Sequence, residues 1–300
     1  MISHWLIAIR PKTLSLSLVP VVLGNVLGWM NAGMLSWPVM VATLLAALFI
    51  QIGTNLHNDA ADFEHGADLS PTRLGPPRAT AEGWLSASEV RRGATLSFVL
   101  AMLAGSYLVW VGGWPILVVG LTSIAAGLAY TGGPKPIAYV GLGELFVFVF
   151  FGLAAVAGSY YLQTGGLSWQ SLVIGAMIGF LAAAVLVVNN YRDMENDRLA
   201  GKHTLAVRFG RRASQIEYTA LMLGPFMLLP LLHSIPINSW WLAIPLISTP
   251  WALYLVMRFR NETPGRVFNQ LLAATAQFQL GFGLLLCLSL LGGHEPSLRF

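Results

Sequence analysis

Two stretches of this chain concentrate residues able to hold a charged ligand: NLHNDAADFEHGAD, residues 55–68, and NNYRDMENDRLAGKHTLAVRFG, residues 189–210. In the first, Asn55, Asp59 and Asp62 are spaced i, i+4, i+7, with Asn58 adjacent. In the second, Asn189, Asp193 and Asp197 are spaced i, i+4, i+8, and Asn190 falls three before Asp193. If the helix preceding each stretch continues through it, each set shares one face. Two acidic faces opposite each other repel unless something cationic sits between them. Carboxylate oxygens with amide support suit Mg²⁺, a hard ion that keeps several waters and bridges to substrate phosphates. Ca²⁺ uses the same oxygens, but the EF-hand spacing is absent. Neither stretch supplies the Cys and His set of a structural zinc site, so His57, His65 and His203 read as interfacial or loop residues.

The neighbouring cations refine the ligand. Arg73 and Arg78 follow the first stretch, and Arg198, Lys202 and Arg208 lie within the second. Metal-binding carboxylates beside guanidinium and ammonium groups form the arrangement for an Mg²⁺-bound diphosphate. Metal and cations together would neutralise the charge developing on a departing diphosphate. Neither GxxxxGK[ST] nor a GxGxxG after a strand occurs, so a nucleotide-binding module has no support. A third stretch, YTGGPKPIAYVGLGE, runs from Tyr130 to Glu144. Gly132, Gly133, Pro134 and Pro136 make a rigid turn that holds Lys135 at the membrane surface, and Glu144 opens the next apolar run. A plain re-entry turn with an anchoring lysine is the competing reading. Ser86 and Glu89 in LSASE form a capping box that starts a helix.

The elements that must position these residues are membrane helices. Of the 300 residues, 56% are hydrophobic and only 10% charged, against about 25% charged in a typical soluble domain. Mean hydropathy is +0.67. Nine runs are long and apolar enough to span a bilayer: 14–31, 38–57, 94–111, 114–130, 143–163, 171–190, 217–235, 240–257 and 270–292. Continuous runs of this length mean helices, not the short alternating strands of a barrel. The chain therefore reads as an all-α membrane protein, residues 1–300 forming one integral-membrane domain.

Charge sets the orientation. The connections near 32–37, 112–114, 164–170 and 234–239 contain no Lys or Arg. The N-terminus and the other connections hold sixteen of the seventeen basic residues, Arg299 being the exception. By the positive-inside rule the N-terminus and both acidic stretches are cytoplasmic, and nine spans leave the C-terminus outside. The pI near 9.4 reflects these anchors and anionic lipid headgroups, not nucleic acid. Cys287 lies alone in an apolar run and can form no intrachain disulfide. Gly24 and Gly28 form a GxxxG that lets helices approach closely. The segment MISHWLIAIRPKTLSLSLVP does not read as a cleaved signal, because its basic residues follow the first apolar patch.

The sequence resembles the UbiA superfamily of intramembrane aromatic prenyltransferases, and within it the branch that prenylates 1,4-dihydroxy-2-naphthoate. RPKTL before the first span, NLHNDAADFEHGAD, RLGPPRA, YTGGPKPIAYVGLGE and VNNYRDMENDRLAGKHTLAVRFG carry the resemblance over essentially the whole chain. It implies nine transmembrane helices around a central cavity with a cytoplasmic cap, in a bacterial inner membrane. It also implies Mg²⁺ held by Asn55, Asp59 and Asp62 at one site and by Asn189, Asp193 and Asp197 at the other, with Asp68 and Glu195 in support. The implied substrates are a polyprenyl diphosphate and the naphthoate, joined with loss of CO₂ and diphosphate in menaquinone biosynthesis. Tyr130 and Tyr191 are then candidates for stabilising an allylic cation, and Glu144 for a base on a substrate hydroxyl. Arg73, Arg78, Lys135, Lys202 and Arg208 are candidates for charge around the diphosphate or the acidic aromatic.

Three readings compete. A related prenyltransferase acting on 4-hydroxybenzoate, homogentisate, haem or a chlorin would keep both metal sites and change the aromatic pocket. A cation-coupled transporter would use the acids as ion sites, but transporter sites usually lie near the midplane at the interface of inverted repeats. The acids here cluster at the span ends, and no inverted repeat is evident. A CDP-alcohol phosphotransferase would require a DGxxAR start, which is absent.

Overall fold

The structure, a computed structural model, describes residues 2–66, 73–235 and 239–293. A short helix α1 (Ile2–Ile9) leads into α2 (Ser15–Ala32), α3 (Trp37–Glu64), α4 (Ala87–Gly112) and α5 (Trp114–Ala129). Then come α6 (Gly143–Thr164), α7 (Trp169–Leu199), α8 (Leu205–Leu232), α9 (Trp240–Asn261) and α10 (Phe268–Gly293). Among the described residues, eight of these are long and apolar enough to cross a membrane, and the shorter α5 completes the nine expected from the sequence. No strand occurs among the described residues.

Local chemistry sets the ends. Ser86 and Glu89 form the expected capping box, with Ser86 N donating to Glu89 Oε2 at 2.8 Å and Glu89 N to Ser86 Oγ at 3.3 Å. Ser168 caps α7 by accepting from Ser171 N at 3.1 Å, and Thr204 caps α8 by accepting from Val207 N at 3.3 Å. Gly165 closes α6 at φ 75°, where a side chain would be strained. Exposed tryptophans collect at one end of the bundle: Trp37, Trp110, Trp114, Trp169 and Trp240 all lie at or near a terminus on the face opposite the acidic stretches. That is the aromatic belt of a membrane–water boundary.

Hydropathy misplaced several helix ends. α3 continues from its apolar run through Asp62 to Glu64, and α7 runs on to Leu199. α8 begins at Leu205, twelve residues before the expected span at 217, with a break at Gly210 (φ 79°). An apolar window ends where charge begins, but backbone hydrogen bonding does not. α6 and α9 are also less regular than expected. α6 holds a π-helical segment, Val149–Ala154, and α9 is interrupted by a 3₁₀ segment, Ile244–Ser248.

α7 is the central pillar and the most deeply buried of the spans. Its Ile174, Met177, Ile178, Leu181 and Val188 belong to the largest apolar core, packed against α2, α6, α8 and α10. Small residues permit the closest approaches. A Cβ on Gly24 would run into the Val156 carbonyl and come 2.7 Å from Ser159 Cβ, so the GxxxG is where α2 meets α6. Gly152, in the π-helical segment, similarly faces Gly175 and Gly179 of α7. Of the two helices bearing acidic stretches, α7 is thus the buried pillar and α3 packs chiefly along α4.

Candidate active site

The last two turns of α3 present Asn55, Asn58 and Asp62 to a single cavity, as the helical continuation predicts. Each has a specific partner. Asn55 Nδ2 donates to the Ile9 carbonyl at 2.9 Å, and Asn58 Oδ1 accepts from Thr131 Oγ1 at 2.7 Å. Asp62 accepts from Lys202 Nζ at 3.1 Å and lies 3.6 Å from an Arg78 guanidinium nitrogen. From α7 come Asn189, Asp193, Asn196 and Asp197, lining the same cavity. Between them Arg192, 4% exposed, donates to Asn189 Oδ1 at 2.8 Å, to Asp193 Oδ1 at 2.8 Å and to Asn269 Oδ1 at 2.7 Å. Asn269, at the start of α10, in turn donates to the Leu74 carbonyl at 2.9 Å. The connection after the first acidic stretch is therefore tied to the second.

Lys202 joins the two helices. Its ammonium meets Asp62, its backbone N–H donates to the Asp197 carbonyl at 2.7 Å, and Nζ lies 4.9 Å from the Tyr139 ring centroid. Burial works against the charge, but the carboxylate of Asp62, with Tyr139 and Asp197, raises the ammonium above its ordinary pKa. Lys202 stays protonated throughout the physiological range.

The cavity holds about 1160 Å³, more than the roughly 300–1,000 Å³ of a typical single-ligand pocket. Beyond the polar end its walls are apolar, with Ile50, Met102, Ile116, Phe146, Phe150 and Phe151 among them. Phe150 and Phe151 come from the π-helical segment of α6, an irregularity that often marks functional sites. Glu144 enters from the start of α6, its Oε1 accepting from Asn190 Nδ2 at 2.7 Å. Its Oε2 is buried with no hydrogen-bond partner among the described residues. Tyr130 lies alongside, its hydroxyl 3.2 Å from where a Cβ on Gly143 would stand.

Among the sequence candidates, Asn55, Asp62, Arg73, Arg78, Tyr130, Glu144, Asn189, Asp193, Asp197 and Lys202 line this cavity. Four do not. Asp59 is 1% exposed, and its Oδ1 accepts from Thr80 N at 3.0 Å, bracing the connection that carries Arg78. Tyr191 stacks between Phe259 and Phe268, ring centroids 4.6 and 5.2 Å away, inside the apolar core. Lys135 borders a separate, smaller hollow beneath its turn. Arg208 is exposed, and its Nε donates to the His203 carbonyl at 3.0 Å. Glu195 is exposed and pairs with Arg198 and Arg211, and Asp68 lies outside the described residues. Sequence reasoning passed over Arg10, Lys12, Asn196 and Asn269 as cavity residues and took Arg192 only for a topological anchor. A pair of amides opening an apolar helix, Asn269 and Gln270, was the available signal.

The donor set fits Mg²⁺. The cavity-facing groups are carboxylate and amide oxygens, with no thiol among them. Among the described residues no three His, Cys, Asp or Glu side chains lie close enough to enclose an ion. The remaining ligands would come from water and diphosphate oxygens, which is how Mg²⁺ is usually held.

A helical bundle with a large apolar cavity, capped by two oxygen-rich helix ends and their cations, is a membrane-embedded site shaped for a ligand with an apolar body and a charged head. The UbiA prenyltransferase family matches residues 17–291, and the chain belongs to that family. It is an integral-membrane prenyltransferase. The chain is 34% identical to a 1,4-dihydroxy-2-naphthoate octaprenyltransferase of Haemophilus influenzae, with 96% of each chain covered. It is 36% identical to the Escherichia coli enzyme of the same name over 82% of this chain and 81% of that one. A UbiA homologue from Archaeoglobus fulgidus, solved bound to DMAPP and Mg²⁺, superposes with a TM-score of 0.65 at 18% identity, covering 94% of this chain and 98% of that one.

Proposed function

We propose that this protein transfers a polyprenyl group from a polyprenyl diphosphate to 1,4-dihydroxy-2-naphthoate, releasing CO₂ and diphosphate and giving demethylmenaquinol for menaquinone biosynthesis. The observation that carries the reading is the meeting of the α3 and α7 oxygen faces, bridged by Lys202, at one end of an apolar cavity. The names of the relatives at 34–36% identity support the acceptor. Mg²⁺, when bound, supplies charge neutralisation for the diphosphate, with Asn55, Asp62, Asn189, Asp193 and Asp197 as the residues that would hold it.

The chain's own residues do the rest. Lys202, Arg78 and Arg73 meet the negative charge that grows on the diphosphate as the allylic C–O bond breaks and its electron pair leaves. The apolar walls hold the prenyl chain and keep water from the allylic cation, with the Tyr130 ring available for cation–π contact. The ring carbon bearing the carboxylate attacks, forming the C–C bond. The C–CO₂ bond then breaks, and its electron pair restores aromaticity. Glu144, fixed by Asn190 with Oε2 unpartnered, accepts a proton from an acceptor hydroxyl as the ring attacks and returns it to that oxygen when loss of CO₂ restores the aromatic ring. We further propose that the acidic ends face the cytoplasm of a bacterial inner membrane, with the N-terminus inside and the C-terminus outside, following the basic residues.

The test uses protein in nanodiscs with Mg²⁺, a polyprenyl diphosphate and the dihydroxynaphthoate, following CO₂ and prenylated product by mass spectrometry. Equal amounts of both are expected. EDTA should abolish them, excess Mg²⁺ restore them, and Asp62→Asn or Asp193→Asn lower turnover by ~10²-fold or more. Prenylation of a different aromatic instead would overturn the acceptor and leave the diphosphate site standing.

A further inference from the structure

Gln51 lies near the middle of α3, lines the cavity and is 7% exposed. An amide at that depth of a membrane helix is costly unless its N–H and C=O are paired. Gln51 makes no hydrogen bond with any described residue. Other buried amides of the bundle differ. Asn25 donates to the Val21 carbonyl at 2.8 Å and accepts from Gln163 Nε2 at 2.6 Å. Gln163 in turn accepts from Ser36 N at 3.0 Å. Gln279 of α10 is also unpartnered among the described residues, but its amide is enclosed and does not line the cavity. The hydroxyls that share the cavity wall are occupied. Ser17, Thr43, Ser106, Ser123 and Ser159 each donate to a carbonyl three or four residues back, at 2.6–2.9 Å. Thr54 is pressed against Gly127 of α5.

Packing fixes where Gln51 points. The opposite face of α3 is held against α4: a Cβ on Gly53 would stand 2.9 Å from the Phe98 ring, and Leu56 and Ala60 share an apolar cluster with Phe98. Gln51 therefore falls on the face of Asn55, Asn58 and Asp62, spaced i, i+4, i+7, i+11, and all four line the cavity. At 1.5 Å per residue it is about 6 Å deeper than Asn55 and about 16 Å from Asp62. One turn deeper than Asn189 and Asn190, α7 presents Val185 and Leu186 to the cavity. A hydrocarbon chain offers the Gln51 amide no partner, whereas a hydroxylated ring does.

We propose that Gln51 determines acceptor specificity by hydrogen-bonding the hydroxyl that lies remote from the carboxylate of the aromatic acid. The assignment deepens the proposed reaction and rests on the diphosphate lying between α3 and α7, which sets the allylic carbon and the attacking ring one turn deeper. In the dihydroxynaphthoate the C1 hydroxyl closes on the adjacent carboxylate, so the C4 hydroxyl is the one left seeking a partner. That hydroxyl both donates and accepts, as an amide does. One short bond at the far edge of the ring then fixes its orientation while the prenyl chain runs along the apolar walls.

The measurement is equilibrium binding in nanodiscs, kept anaerobic and free of prenyl diphosphate so that nothing turns over. It compares 1,4-dihydroxy-2-naphthoate with 1-hydroxy-2-naphthoate, which lacks the C4 hydroxyl, and 4-hydroxybenzoate with benzoate. Wild type is set beside Gln51→Met, which keeps the length and removes the amide, and Gln279→Met, which deletes a buried amide away from the cavity. Gln51→Leu repeats the test should the methionine variant fold poorly. Wild type should bind the dihydroxy acid ~3–10-fold more tightly than 1-hydroxy-2-naphthoate. Gln51→Met should bind the two alike, at the wild-type affinity for 1-hydroxy-2-naphthoate. Its melting temperature should equal or exceed that of wild type, because an unpaired amide has left the bundle. Gln279→Met should keep the wild-type preference. Geranyl diphosphate with Mg²⁺, measured separately, should bind all of them equally. A preference for the dihydroxy acid that survives in Gln51→Met overturns the proposal, as does equal wild-type binding within both ligand pairs. So does a loss shared by 1-hydroxy-2-naphthoate or by geranyl diphosphate. A Gln51-dependent preference for 4-hydroxybenzoate over benzoate, with neither naphthoate bound, would sink the proposed acceptor and leave this assignment intact.

Discussion

The Lys202 ammonium stands 3.1 Å from an Asp62 carboxylate oxygen, linking residues 140 positions apart and closing the polar end of the cavity. The two side chains are only 14% and 6% exposed. At that depth each ion needs compensation, which Arg78 shares for Asp62 at 3.6 Å, because an uncompensated buried charge is far more costly than a matched pair. In the proposed reaction the pair lies at the diphosphate end of the cavity, with the lysine balancing Asp62 until substrate arrives.

Removing one partner should therefore harm the fold more than removing both charges. Lys202→Met is expected to lower thermal stability by several degrees, and Lys202→Met with Asp62→Asn to recover part of the loss. The coupling in the double-mutant cycle should be about 0.5–3 kcal/mol. Additive effects, measured by thermal unfolding in one detergent, would mean that the pair is not coupled. Lys202→Arg keeps the charge and should retain most of the stability.

Glu144 and Asn190 supply a second relationship, a 2.7 Å hydrogen bond that leaves Oε2 buried without a hydrogen-bond partner among the described residues. Glu144→Gln keeps the shape and the possibility of bonding Asn190 but removes the base. It should lower kcat by about 10²-fold or more while leaving the KM for prenyl diphosphate near wild type. A raised diphosphate KM with normal kcat would show that Glu144 binds substrate and does not move a proton.

The spans and the two acidic faces were legible because composition writes them directly: apolar runs of bilayer length, broken by Asn and Asp at helical spacing. Which of those acids reach the cavity was not. Asp59 and Asp62 are three apart on one helix, yet Asp59 turns to the Thr80 backbone and Asp62 to the cavity. That difference depends on where the connection after α3 returns, a tertiary fact with no local signal. Arg192 was obscured by its charge, which reads as a topological anchor until Asn269 of α10 is seen beside it. The π-helical segment of α6 contains Gly152, which approaches Gly175 and Gly179, and three glycines in apolar helices look like ordinary packing sites.

Tyr191 shows the same lesson at the aromatic level. Adjacent to Asn190, it read as a cavity tyrosine, but it packs on Phe259 and Phe268 with its hydroxyl 3.5 Å from Gln215 Nε2. Tyr191→Phe should keep activity close to wild type and cost less than about 1.5 kcal/mol. Tyr191→Ala should destabilise by roughly 3–5 kcal/mol through the cavity it leaves. A large kcat loss in the phenylalanine variant, with unchanged melting temperature, would return Tyr191 to the reaction.

Gly24 and Gly105 offer a matched pair for the packing argument, since both lie inside spanning helices. A methyl group at Gly24 would meet the Val156 carbonyl of α6 and stand 2.7 Å from Ser159 Cβ, whereas nothing lies within 4 Å of that position at Gly105. A backbone carbonyl cannot swing aside as a side chain can, so Gly24→Ala must push α2 away from α6. It should cost about 1–3 kcal/mol. Gly105→Ala meets no neighbour and removes a flexible residue from a helix interior, so it should be neutral or stabilise by up to about 1 kcal/mol. Thermal unfolding of the two variants side by side decides the matter. Equal shifts would mean that α2 and α6 are not in the close contact that the GxxxG permits.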